Sequence, residues 1–340
     1  MPSLLTLSIG YFLSDIGTGL AVKYFTGSMN QGFMGLTSMQ YLVYSTAFSS
    51  IFCVAIVLIF KWHKRATLTR NEKIVLFLSG ACTSFIIPVS TLIISLPISV
   101  MIAMVLMRVS VMIASRLIDV VLNFQGLQDK KIPWQENLAV LFAIGAVAAK
   151  TFFTPETSYQ FSNGAIALLV LYFIAYFIRL YIMNRAKLLG IAGKKLDQKL
   201  YFGVEQLFAS GVLFVFAIGV FLMKYSFLGS TGKIGFEYVD AILSPHPQWP
   251  LAAIAGLPYG FVAIFSVFLF LYPGKSATFT GVTNRLVSLL GGTATSIILY
   301  LFFDVAFPPV EDWIALTFIL IAIGLLAWGN PKGSFYKNLA

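Results

Sequence analysis

Apolar residues come in long runs along the whole chain, and short polar or turn-forming breaks separate them. Ten runs can be read, at 4–25, 37–60, 74–96, 98–122, 137–154, 163–184, 199–223, 249–272, 276–302 and 311–329. A helix of about 20 residues crosses the ~30 Å hydrocarbon core of a bilayer, so each run predicts one span. The breaks carry turn or charge signals, such as Lys61-Trp62-His63-Lys64-Arg65, Pro155-Glu156-Thr157 and Phe307-Pro308-Pro309. The longest non-spanning stretch, 225–248, is expected to lie on the membrane surface. The expected fold is an all-α integral membrane protein. Its ten runs divide into five over 1–154 and five over 155–340, the second set carrying the surface insertion. Five is odd, so the second set enters the membrane the other way up, and the pattern predicts two inverted repeats. Proline placement agrees: Pro97 and Pro273 stand before the fourth and ninth runs, and Pro133 and Pro309 each follow 36 residues later.

Composition adds to this picture. Hydrophobic residues make up 59% of the 340, charged residues 11%, and the mean hydropathy is +0.88. One water-soluble core could not absorb that much apolar surface, whereas a lipid-facing bundle has no need to. The net charge of +10 would fit a nucleic-acid partner, but its placement argues for topology. Loops after even-numbered spans, with the tail, hold fifteen Lys or Arg residues, and loops after odd-numbered spans hold three, Lys150, Lys224 and Lys233. Basic loops stay in the cytoplasm, so both termini are expected there, in a bacterial inner membrane or a eukaryotic endomembrane. Cys53 and Cys82 fall inside apolar runs, and His63 and His246 are far apart in sequence, so neither a disulfide framework nor a metal site is expected. No cleavable signal peptide, phosphate-binding glycine loop, zinc-protease motif or nucleophile–histidine pair is evident. The sequence therefore predicts neither cofactor nor enzyme. Its expected partners are a small solute and the bilayer, as monomer or homodimer.

Charged residues at membrane depth are costly, so they mark candidate chemistry. Arg108 and Arg285 each lie about ten residues into a span, the fourth and the ninth, or roughly 15 Å of helical rise. Two guanidiniums converging there would bind a carboxylate or phosphate. Asn284 and Thr283 adjoin Arg285. Ser115 and Asp119 share a helix face with Arg108. Asp15, Asp119 and Glu205 are candidate counter-ions or coupling groups. Tyr41 and Tyr44 offer an aromatic, polar wall on the second span. Arg116, Lys23 and Arg179 sit nearer span ends, where long basic side chains snorkel to the interface.

The stretch from Gly281 to Asn330 resembles the last two spans of nucleotide-sugar transporters, in the drug/metabolite transporter superfamily. In the GDP-mannose branch a Gly-Ala-Leu-Asn-Lys motif contacts the sugar nucleotide, and the matching positions here read Gly281-Val282-Thr283-Asn284-Arg285. That branch's Phe-Tyr-Asn-Asn motif is not retained, since the nearest stretch reads Tyr201-Phe202-Gly203-Val204-Glu205-Gln206. The resemblance implies ten helices in two inverted repeats and a substrate bound between them. The expected function is secondary transport of a small anionic or zwitterionic metabolite by alternating access, a nucleotide sugar or other phosphorylated solute among them. An amino-acid or drug exporter is the alternative within the superfamily. A lipid-handling enzyme or sensor is the alternative outside it, with Glu237, Asp240 and His246 as its surface candidates.

Overall fold

The computed structural model describes residues 2–27, 29, 32–95, 100–128, 133–152, 163–191, 195–226, 233–303, 307 and 310–329. Among them there is no β-strand. The helices are α1 (Leu4–Thr26), α2 (Ser38–Ile59), α3 (Arg70–Ser95), α4 (Val100–Phe124), α5 (Trp134–Phe152), α6 (Asn163–Leu189), α7 (Gln198–Ser226), α8 (Lys233–Leu243), α9 (Trp249–Ile254), α10 (Leu257–Phe270), α11 (Ala277–Phe303) and α12 (Val310–Gly329). By length and hydropathy, six segments of the described residues qualify as membrane spans: α1, α2, α6, α7, α9–α10 together, and α11.

Burial runs opposite to that of a water-soluble protein. Phe214 and Val215 of α7 are 66% and 68% exposed, whereas Asp119, Glu136 and Glu205 are 0–2% exposed. In water such a surface would be an aggregation site. In lipid it is the ordinary outside of a bundle, with the polar groups facing inward.

Local chemistry sets the helix starts. Ser3 caps α1 by accepting the Thr6 N–H. Thr37 and Gln40 form a reciprocal capping box on α2. The α9–α10 segment, predicted as one continuous span, breaks at Ala255–Gly256. Pro258 has no N–H to bond back to Ile254, so that carbonyl's turn cannot close. A Cβ on Gly256 would stand 2.3 Å from the Ser45 carbonyl oxygen of α2, so only glycine lets these backbones meet.

The connections gather at two ends of the bundle. At one, Arg65 pairs with Asp197, the Gln125 side chain accepts from the Tyr181 hydroxyl, and the Gln198 side-chain amide donates to the Phe268 and Leu271 carbonyls. Lys199 lies over the Trp62 ring there. At the other end Tyr24, Phe33 and Phe303 form an aromatic cluster, and α8 packs on α2 and α7. The described residues of the loops that follow α2 and α6 thus share one end.

α1 packs on α10 and α11, and α6 packs on α3 and α4. α2 packs on α9 and α10, and α7 packs on α3. α4 meets α11, α2 meets α7, and α5 lies along α12.

Candidate functional site

A polar cavity of about 320 Å³ lies at the centre of the bundle. It is walled by α1, α2, α3, α4, α6, α7, α10 and α11, while α5 and α12 supply none of its described lining. Both Arg108 and Arg285 line it, with Asp15, Arg179 and the tyrosines 11, 172, 176 and 259.

Packing of α4 against α11 brings the arginines to one level. Three contacts fix an antiparallel register: Asp119 with Ala277, Ser115 with Gly281, and Arg108 with Ser288. In that register Arg285 lies level with Val111, three residues from Arg108. The axial offset is therefore only about 4–5 Å at 1.5 Å per residue. The close crossing depends on glycine, because a Cβ on Gly281 would stand 2.0 Å from the Ser115 Oγ.

The two arginines have different partners. Arg108 donates to the Ser288 hydroxyl at 3.4 Å. Asp15 reaches the same serine, its carboxylate packed against Gly291. The Arg285 guanidinium instead lies 5.3 Å above the Tyr176 ring, and Tyr172 stands 4.8 Å from Tyr176, ring to ring. Such a cation–π contact is worth about 0.5–2 kcal/mol and leaves the positive charge in place. Among the described residues Arg285 has no carboxylate partner, and its buried Nε has no hydrogen-bond acceptor.

Arg179 is committed elsewhere. Its Nε donates to the Glu205 Oε1 at 2.9 Å, and Ser79 and Thr83 donate to the same oxygen at 2.7 and 3.0 Å. Tyr201 bonds Ser79 at 2.9 Å and extends the network. Glu205 is thus the buried counter-ion of Arg179, which is one of the two roles its sequence position offered. It does not itself line the cavity. Among the described residues, counting Glu205 behind the wall, three cations face two carboxylates, and Arg285 is the cation left without a carboxylate.

Other residues singled out in the sequence lie apart from the cavity. Asp119 accepts the N–H groups of Ala277 and Thr278 at 2.9 and 2.6 Å, capping α11 from a neighbouring helix. Glu136 accepts from the Ser276 hydroxyl at 2.6 Å in the same corner. Ser115 bonds back to the Val111 carbonyl and packs on Gly281. Tyr44 donates to the Ala241 carbonyl at 2.8 Å and accepts the His246 N–H, which ties α8 to α2. Tyr41 reaches towards the Ala255 carbonyl at 3.5 Å, also near that end. Asn284 touches the cavity indirectly, by donating to Ser266 of its wall, while its Oδ1 is buried without a donor. Thr283 is half-buried and does not line the cavity. Among the surface candidates, the His246 Nδ1 accepts the Gln248 N–H within its own turn.

No protein-family model matches the chain, and no curated protein does. A solved crystal structure of a protein 12% identical in sequence superposes with a TM-score of 0.59, over 96% of each chain. At that identity the likeness is one of fold alone.

The tyrosines and Ser288 were not legible as site residues. One signal was available in the sequence: Tyr11 and Asp15 are four residues apart on α1, and Tyr172 and Tyr176 are four apart on α6. The second pair lies against Arg285.

Proposed function

We propose that the chain is a secondary transporter that moves a small anionic or zwitterionic solute by alternating access. The observation that carries this reading is Arg285, a midplane guanidinium facing a polar cavity with no carboxylate partner among the described residues. A permanent cation in that setting lacks compensation until an anion arrives. Arg108, held a few ångströms along the axis, gives such an anion a second donor.

Alternating access requires two halves that can exchange conformations. α3, α4, α5 and α12 are 26, 25, 19 and 20 residues long, and with the six segments above they would complete ten spans. Exchanging α1–α5 with α6, α7, α9–α10, α11 and α12 maps the helix neighbours onto one another: α1 on α10 becomes α6 on α3, and α1 on α11 becomes α6 on α4. The same exchange carries Arg108 onto Arg285, each the ninth residue of its helix. These correspondences favour two inverted repeats with the site on their shared axis. With basic loops on the cytoplasmic side, both termini face the cytoplasm. Membership of the drug/metabolite transporter superfamily, suggested by the 281–330 stretch, is consistent with this architecture. The missing asparagines at 203 and 204 argue for a substrate other than GDP-mannose.

The test is exchange in proteoliposomes. Vesicles preloaded with an organic phosphate or carboxylate should take up the labelled anion, and Arg285→Ala should reduce uptake at least a hundredfold. Unchanged uptake by a folded Arg285→Ala variant would overturn the role given to this residue.

A further inference from the structure

A second cavity, of about 620 Å³, opens between α2 and α7 under α8. Its described lining includes no charged residue, and the small side chains of Ala47, Ala55 and Ala217 leave the space. The flanking surface is the one that carries exposed Phe214 and Ile51, so the groove faces the hydrocarbon of the bilayer. It adjoins the central polar cavity, and Ser50, Ile87, Ser210 and Leu213 belong to the walls of both.

We infer that the transported solute is an amphiphile, with an anionic carboxylate or phosphate head at Arg285 and a hydrocarbon chain lying in the α2–α7 groove. The inference rests on the transporter reading above and adds the chemical class of its substrate. The groove and the cavity meet at the two hydroxyls Ser50 and Ser210, where apolar lining gives way to polar. An ordinary lipid beside the bundle keeps its head at the membrane surface and has no use for a cation at mid-depth. A fully water-soluble anion has no use for an apolar groove twice the volume of its binding cavity. One molecule with both parts satisfies both features: it enters sideways from the bilayer, brings the charge Arg285 lacks, and leaves its chain in lipid-like surroundings.

The test uses the full chain in nanodiscs and dodecyl phosphate carrying a photoreactive diazirine at the chain end. Crosslinks mapped by mass spectrometry should concentrate on α2 between Leu42 and Leu58 and on α7 between Leu213 and Ala217. Excess unlabelled dodecyl phosphate should reduce them at least tenfold, and so should Arg285→Ala. A diazirine alkane of equal length without phosphate should label lipid-facing helices evenly. Methyl phosphate exchange in proteoliposomes is measured in parallel. Crosslinks scattered over the outer surface irrespective of Arg285, with methyl phosphate exchange that does require Arg285, would overturn the amphiphile and leave the transporter reading standing. If neither probe depends on Arg285, both fall.

Discussion

Arg108 and Arg285 face one cavity from antiparallel helices, yet Asp15, the carboxylate in its described lining, acts on Arg108 more strongly than on Arg285. The Arg285 guanidinium is held instead against the ring face of Tyr176. The Arg108 side of the cavity is close to neutral and the Arg285 side cationic, so the preferred solute should carry about one net negative charge.

Asp15→Asn should alter charge selectivity more than fold. Removing the carboxylate raises the cavity by one positive charge, and at separations near 8 Å in a partly shielded site that favours a dianion by about 2 kcal/mol, or more than tenfold. Competition between a phosphate monoester and a carboxylate of similar size reads the shift. An unchanged ratio would remove Asp15 from the site.

The Arg179–Glu205 pair should prove structural. Glu205 accepts three side-chain donors with 2% exposure, so Glu205→Ala leaves Arg179 buried and unpaired at a cost of roughly 3–5 kcal/mol. Arg179→Met with Glu205→Leu should recover much of that loss, since neither charge is then stranded. Thermal unfolding in detergent, followed by size-exclusion chromatography, measures both.

Asp119→Ala should destabilise the start of α11 by about 1–3 kcal/mol, because two buried N–H groups lose their acceptor. Asp119→Asn keeps one acceptor oxygen and should cost less. Hydrogen exchange at Ala277 and Thr278 should quicken in the alanine variant before the rest of α11. Equal protection in both variants would count against the cap.

Gly256→Ala should be poorly tolerated, because the added methyl would meet a backbone carbonyl that cannot swing away. Gly211→Ala, where a Cβ meets nothing within 4 Å, is the control and should be neutral or slightly stabilising. The two midpoints of thermal unfolding should differ by several degrees.

Much of the architecture was legible because lipid imposes a simple code. The apolar runs match the described helices to within a few residues at most boundaries, six segments qualify as spans, and the two arginines stood out as expensive exceptions within the runs. The break at Gly256 was hidden, since hydropathy stays high on both sides of it. The role of Asp119 was hidden for another reason: its partners, Ala277 and Thr278, lie 158 and 159 residues away and are backbone groups, which have no sequence identity. Tyr41 and Tyr44 looked like a site wall because aromatic and polar residues at helical spacing suit a cavity and a helix-to-helix strut equally well. Tyr172 and Tyr176 acquire meaning only from Arg285, on a helix more than a hundred residues later.

The most direct measurement is the thermal stability of purified protein against a panel of organic phosphates and carboxylates, in wild type and in Arg285→Ala. A ligand that binds only the folded state at a hundred times its Kd stabilises by about 2.7 kcal/mol, which is readily seen as a rise in Tm. Anions should raise the Tm of the wild type by several degrees, and Arg285→Ala should fold normally yet show no rise. An equal rise in both proteins would contradict an anion site built on Arg285.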